Sequence, residues 1–520
     1  MFPRSRVPTS SPSIAYQPVA SDDDGKDVGQ SDDPGAVDDE LVVDRTSDVD
    51  AGDMEIFLTE KDNTRILCKI DKVILSLLVW VYFLQILDKT ILGYSAILGL
   101  PQDTHLTGSQ YSIVGSIAPI AQLIWQPVSS LLIVKVPHRT LMPCLVFGWG
   151  LAQTLTPTCR SFTGLVINRF FLGLFEAGCL PLFSIITSQW YRRHEQPLRV
   201  AAWYGTNGLA TILAAVLAFL LPPLPPPWQW QSLYLLTGLL TLLTVPLIHL
   251  RLPNDIPSAP FLTPTERLQA LERVRANQTG VGGPGAKFQP AQAREALTDR
   301  KTYLFLLLAF ANNLGAQVTN TFGPLILAGI GAFPPRTTTL LNIPFGATQY
   351  AVIIAVALFA TRIRYKSAAL VAVIVPILVG LGTLYAVPRD GGHDGVLVAG
   401  YYLLAFIFGG NTLIVAWILG NTGGQTKKAV VMGLYNAASA GGNVVGPLLF
   451  AEGPEGGYKF GLRVTLGVFA AMVVVVGGKG RGRGVVDRSM EGGVGGVGVV
   501  GGGGLEDVTD RENPGFVYVY

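Results

Sequence analysis

The chain has 520 residues, of which 49% are hydrophobic and only 14% charged, with a formal net charge of +2. Soluble globular domains carry roughly 25% charged residues, so the composition excludes an ordinary soluble domain. The near-neutral total says nothing about partners, because the charges are segregated by region. Four scattered cysteines (Cys68, Cys144, Cys159, Cys179) suggest neither a disulfide framework nor a metal site.

Residues 1–68 form the first region, a polar segment rich in Asp, Ser, Gly and Pro. Between Asp22 and Glu55 it holds fourteen acidic residues against Lys26 and Arg45. Such a stretch cannot bury enough apolar area to offset its ordering entropy, so it reads as a disordered acidic tail. No cleavable leader opens the chain, and the first apolar run is expected to act as its own insertion signal.

Twelve apolar stretches follow, at 72–98, 108–134, 139–158, 161–189, 197–221, 230–250, 302–329, 337–360, 366–387, 395–419, 429–451 and 460–478. A hydrocarbon core of roughly 30 Å takes about 20 apolar residues per helix. Helices and closed barrels alone satisfy their backbone groups in lipid, and runs this continuous are helices. The expected fold is therefore an all-α polytopic membrane protein with 12 transmembrane helices in two six-helix bundles, 69–250 and 301–478. A central loop (251–300) joins the bundles, and a disordered tail (479–520) ends the chain.

Orientation follows from basic residues in the connections. The even-numbered connections and the central loop hold eighteen, including Lys135, Arg139, Arg192, Arg193, Arg199, Lys427 and Lys428. The odd-numbered connections hold five: Arg160, Arg336, Arg389, Lys459 and Arg463. Both termini and the central loop are thus expected in the cytosol. The run Pro222–Pro227 would be an uncharged outward turn. Within the central loop, Thr263-Pro264-Thr265-Glu266 reads as a helix start. Leu268, Leu271 and Val274 give that helix an amphipathic pattern suited to the membrane face. The sequon Asn277-Gln278-Thr279 would be unused in the cytosol. Gly496–Gly501 matches a dinucleotide fingerprint only by chance, since no strand or helix frames it.

Charged residues inside spans cost about 2.5–3.5 kcal/mol each, which makes them functional candidates. Four are clear: Asp88 and Lys89 in span 1, Arg169 and Glu176 in span 4. Neighbouring helical residues diverge by about 100°, so Asp88 and Lys89 point at different partners. Arg169 and Glu176, seven apart, share a face, with Gly173 between them allowing close approach. The four form either a coupling network, with a protonatable carboxylate and an anion-attracting guanidinium, or a buried ion pair joining spans 1 and 4. The second half has amides at helical spacing instead: Asn313, Gln317 and Asn320; Asn342 and Gln349; Asn436 and Asn443. These either bond between helices or line a substrate cavity. Gly442-xxx-Gly446 with Pro447 suggests a tight crossing or a break in span 11. His105, His138, His194, His249 and His393 lie in loops or at span ends, which argues against an embedded enzyme.

The halves suggest a pseudo-symmetric pair with substrate between them. Locally, the chain resembles the major facilitator superfamily (the MFS fold), specifically its fungal anion:cation symporters of the allantoate permease group. The segments that carry the resemblance are Leu87–Thr90, Asp103–Leu106, Gly108–Tyr111, Arg169–Ala177, Trp190–Pro197, Asn421–Lys428, Asn436–Ser439, Gly442–Pro447, and the terminal Thr509–Asn513 with Phe516–Tyr520. Lys135-Val136-Pro137-His138-Arg139 is only a remnant of the superfamily's charged loop motif. Span 5 lacks the Gly-Pro motif of the antiporters, and the region after span 12 looks shortened. The resemblance implies proton-driven import of a small organic anion, such as a ureide or another carboxylate, by alternating access. It implies coupling roles for Arg169, Glu176 and Asp88, and substrate attraction by Lys89, with Asn313, Gln317, Asn320, Asn342, Asn436 and Asn443 as cavity candidates. The expected partners are the carboxylate, the proton and the lipid of the plasma membrane, with no nucleic acid, no cofactor and a monomeric state. A proton-coupled drug antiporter and a non-transporting nutrient sensor are the alternatives.

Overall fold

A computed structural model describes residues 59–107, 109–192, 195–221, 225, 228–275, 289–331, 333–362, 366–389, 391–451, 458–477 and 509–510. The acidic stretch up to Met54, most of the proline turn, the Asn277 sequon, Arg193, His194, the glycine-rich fingerprint and Phe516–Tyr520 lie outside these residues. Among the described residues the chain is helical, without strands.

Twelve long helices correspond to the twelve apolar stretches. In the first half they are α1 (Glu60–Ile97), α2 (Gln110–Lys135), α3 (His138–Leu155), α4 (Phe162–Trp190), α5 (Leu198–Leu220) and α6 (Trp228–Arg251). Two loop helices follow, α7 (Pro264–Arg275) and α8 (Pro290–Thr298). The second half comprises α9 (Arg300–Gly331), α10 (Pro335–Arg362), α11 (Lys366–Ala386), α12 (Asp394–Gly420), α13 (Gln425–Leu448) and α14 (Lys459–Gly477). Eight of the twelve are long and apolar enough to cross a membrane by composition alone. The amide-bearing α9 and α13 are not among the eight. The polarity of α9 is turned inward, as burial of Asn312 and Asn313 shows.

Two irregularities bear on the site. Residues Asp71–Leu75 of α1 form a π turn, which shifts the helix register by one residue. Helix α4 is interrupted after Glu176, where Ala177 and Gly178 form a turn before Cys179–Trp190 resumes. Pro181 accounts for the interruption, since it has no N–H for the carbonyl of Ala177 and its ring crowds that carbonyl.

Each half pairs its helices in the same way: α3 lies against α6 and α1 against α5, while α11 lies against α14 and α9 against α13. Between the halves, α5 packs on α10, α2 on α13 and α1 on α9. Small residues set the closest approaches. A Cβ on Gly173 would stand 2.2 Å from the Ala118 carbonyl oxygen of α2, so the expected close approach is real. One on Gly442 would meet the Phe310 oxygen at 2.3 Å, and one on Gly446 the Leu314 oxygen at 2.6 Å, so the glycine pair marks a tight α13–α9 crossing.

Three expectations about the polar ends need correction. Helix α1 begins at Glu60, capped by the Thr59 side chain, so residues 60–68 are helical rather than part of a disordered tail. Helix α7 does start at Pro264, where Thr263 and Glu266 bond each other's backbone N–H reciprocally. Its buried face, however, is Glu266, Gln269, Ala270 and Arg273, while Leu268 and Leu271 are about half exposed. Ion pairs outweigh the apolar stripe: Lys69 of α1 meets Glu266 at 2.8 Å, and Arg273 pairs with Glu195 while bonding Asn63. Finally, Thr509 and Asp510 of the expected disordered tail are buried. Asp510 pairs with Lys301 and with Lys427 (2.6 Å) and accepts from the Gly423 N–H. Asp299 and Glu295 face the same lysines, and contacts this distant in sequence leave no local signature.

Candidate functional site: a buried charge cluster beside an amide and tyrosine network

Although adjacent residues of α1 diverge, Asp88 and Lys89 both come near Glu176 of α4. Lys89, its side chain 23% exposed, reaches Glu176 of α4 at 3.6 Å. Gln122 of α2 donates to the same Glu176 oxygen at 2.7 Å, while the other oxygen has no hydrogen-bond partner. The helix interruption leaves Glu176 at the end of the first half of α4, at the meeting point of α1, α2 and α4.

Asp88 is 1% exposed, and neither of its oxygens has a hydrogen-bond partner. Glu176, Arg169, Lys89 and the Trp149 indole of α3 lie around it. An ionised carboxylate withdrawn from water costs several kcal/mol unless paired, so this is a site where charge must be matched by a proton or a cation.

Arg169, also buried, makes no ion pair among the described residues. Its Nη2 donates to the Tyr234 hydroxyl of α6 at 2.7 Å, and its guanidinium lies 5.5 Å from that ring's centre. The Ser95 hydroxyl is committed to the Leu92 carbonyl, so the Tyr234 hydroxyl donates to Ser95. Arg169, Tyr234 and Ser95 thereby link α4, α6 and α1. The pairing anticipated between spans 1 and 4 exists, but Lys89 makes it and Arg169 does not.

The second half supplies amides. Asn313 of α9 and Asn411 of α12 exchange hydrogen bonds at 3.0 and 3.2 Å. Asn313 also donates to Ser439, and the Tyr435 hydroxyl donates to Asn411. Asn411 crosses to the first half by donating to the Tyr204 hydroxyl of α5 at 3.0 Å. Tyr204 packs against Tyr82, which accepts from Asn207. Asn436 and Asn443 are half-buried on α13 and make no side-chain hydrogen bond among the described residues. Gln317 bonds Thr321 on its own helix.

Asn342 lies elsewhere. It donates to Thr338 and accepts from Tyr401, so its bonding is spent within the second half. Together with Asn320, Thr90 and Thr211 it lines a void of about 10 Å³, room for about one water molecule and no organic anion. The halves close on each other around this void, toward the membrane face away from the termini. Gly93 abuts the Asn320 carbonyl, Gly208 abuts Gly346, Tyr111 donates to the Thr321 carbonyl, and Thr211 donates to Gln349. Asn342 therefore spends its side-chain bonds within the second half, at a point where the two halves meet.

Sequence reasoning missed Gln122, Tyr234, Tyr204, Tyr435, Asn411 and Asn312. The rule applied to the amides of spans 7, 8 and 11 selects Asn411 as well, beside Gly409 and Gly410 in span 10. Asn312 is buried with both side-chain polar atoms unpartnered, and the same rule selects it as the neighbour of Asn313 in span 7. The tyrosines look like core aromatics until their partners are known.

Residues 78–447 match the Major Facilitator Superfamily. An uncharacterized transporter of Schizosaccharomyces pombe is 33% identical over 422 residues, covering 80% of this chain and 78% of its own. The allantoate permease of Saccharomyces cerevisiae is 28% identical, with 81% and 79% covered. The thiamine pathway transporter of the same yeast is also 28% identical, with 84% of each chain covered. Among solved structures, a bacterial homologue of the lysosomal transporter Spinster, inward-facing and unoccupied, superposes with a TM-score of 0.55 at 12% identity, covering 83% of this chain and 97% of that one. A nucleoside transporter gives 0.56 at 13% identity, with 77% and 98% covered.

Proposed function

Because the chain belongs to the major facilitator superfamily and is a multi-pass membrane transporter, we propose that it imports a small organic anion in symport with protons. The observation that carries this reading is the Lys89–Glu176 pair, with Glu176 fully buried and about a quarter of the Lys89 side chain exposed. An ionised Glu176 occupies Lys89. A proton on Glu176 frees the ammonium to take a substrate carboxylate, so proton and anion arrive together. Asp88, with no hydrogen-bond partner of its own, is the second acid that exchanges a proton during the cycle. Arg169 transmits the change in α4 to α6 and α1 through Tyr234 and Ser95. The network of Asn313, Asn411, Ser439 and Tyr204 spans the two halves, and its Ser439 and Tyr204 hydroxyls, which accept from the amides, are the groups that can donate to the remainder of the substrate.

The halves meet closely around Asn320 and Asn342, which supports a reading in which the cluster exchanges with the termini side. The basic-residue bias favours a cytosolic position for that side, and the import reading goes with the plasma membrane. The resemblance to the allantoate permease group favours a ureide or a related small carboxylate, with a vitamin or nicotinate as further candidates. The test is uptake of a radiolabelled carboxylate panel by a transport-deficient yeast expressing the chain, with and without a protonophore. Protonophore-sensitive accumulation of one carboxylate is expected. Uptake indifferent to the protonophore refutes symport, and binding without counterflow in proteoliposomes refutes transport.

A further inference from the structure

We propose that the groove between residues 72–80 of α1 and the last turns of α6 binds an acidic phospholipid. The groove has a volume of about 170 Å³ and is lined by Lys72, Val73, Ser76, Leu77 and Trp80 of α1 with Leu247 and Arg251 of α6. Its wall is apolar and its rim is cationic, which is the amphiphilic pattern of a lipid. A soluble anion has no use for the apolar wall, and a zwitterionic lipid does not match two cations.

The π turn separates the roles of neighbouring residues. Asp71 turns to α5 and pairs with Arg199 at 2.9 Å, while Lys72 and Val73 face the groove. The nearest carboxylate on α1 is therefore already engaged. Lys72 and Arg251 are exposed and make no ion pair among the described residues. The Trp80 indole N–H donates to Thr244 of α6 at 3.1 Å, which fixes the ring as the floor between the helices. Leu243, Leu247 and Leu250 on α6 are 75%, 44% and 70% exposed, a surface on which acyl chains can lie. Basic clusters at the membrane interface gather acidic headgroups in this way. The proposal is independent of the transport reading, since none of these residues belongs to the mid-span cluster.

The test is native mass spectrometry of the full-length protein from detergent, titrated with phosphatidylserine or phosphatidylcholine. Retention of phosphatidylserine roughly tenfold above phosphatidylcholine is expected, falling roughly tenfold in Lys72→Gln/Arg251→Gln. The control Lys459→Gln/Arg463→Gln should leave retention unchanged. Equal retention of the two lipids, or an unchanged double variant, overturns the proposal. Complete displacement by millimolar glycerophosphoserine or inorganic phosphate overturns it in favour of a soluble-anion site. Should the double variant not fold, the wild-type protein still decides. Brominated phosphatidylserine should quench tryptophan emission more than brominated phosphatidylcholine, and Trp80→Phe should abolish that difference. Equal quenching refutes the site.

Discussion

Replacing Glu176 by Gln removes a charge while keeping the shape and the acceptor oxygen that Gln122 uses. The loss falls on Lys89, 3.6 Å away. Coulomb attraction at that distance is about 5 kcal/mol at an effective dielectric of 20 and about 1 kcal/mol in water. Because about a quarter of the Lys89 side chain is exposed, a working value of about 2 kcal/mol is reasonable. Under the proposed mechanism this energy holds the lysine away from the substrate when Glu176 is ionised. Glu176→Gln should therefore bind the carboxylate up to about 30-fold more tightly, since 1.4 kcal/mol is tenfold. It should also lose uphill accumulation, because the competition that ties substrate to proton is gone. Uptake at external pH 5 and pH 7 with a protonophore control measures the coupling, and counterflow in proteoliposomes measures binding and exchange. A variant that still accumulates substrate with the wild-type pH dependence refutes the reasoning, whatever its affinity.

The remaining predictions concern other links in the structure. Arg169→Lys keeps the charge but loses the planar fork and the reach to Tyr234, so uptake should fall at least about tenfold with normal surface expression; undiminished uptake removes Arg169 from the mechanism. Gly173→Ala drives a methyl into the Ala118 backbone, at an expected cost of about 1–3 kcal/mol; this should appear as a lower melting temperature by fluorescence-detected size exclusion, and an unchanged value contradicts the α2–α4 packing. Asp510→Asn leaves Lys301 and Lys427 with less compensation and should lower the melting temperature by a few degrees. Burial opposes ionisation of Asp510, yet the bonds from Lys301 and Lys427 hold its carboxyl below the ordinary value. Its contribution is therefore complete above the unfolded value and is lost only as pH falls through the lower folded one. The gap between wild type and Asp510→Asn should stay constant from pH 8 to pH 5 in a thermal-unfolding series, and a gap that closes across that range is contrary to this assignment.

Membrane insertion, twelve helices and four embedded charges were legible from sequence, because lipid imposes a length, a polarity and a cost that act residue by residue. The same local rules revealed the Thr263–Glu266 helix start and the glycine approaches at Gly173, Gly442 and Gly446. The rule for embedded amides reached Asn313 and stopped short of Asn411, although the signal was present. Other features depend on which distant segments meet. The tertiary structure decided that Lys89 rather than Arg169 pairs with Glu176, that Asn342 bonds Thr338 and Tyr401 within its own half, and that the polar face of α7 is the buried one. It also decided that Asp510 ends up between Lys301 and Lys427, which lie 209 and 83 residues before it in the chain.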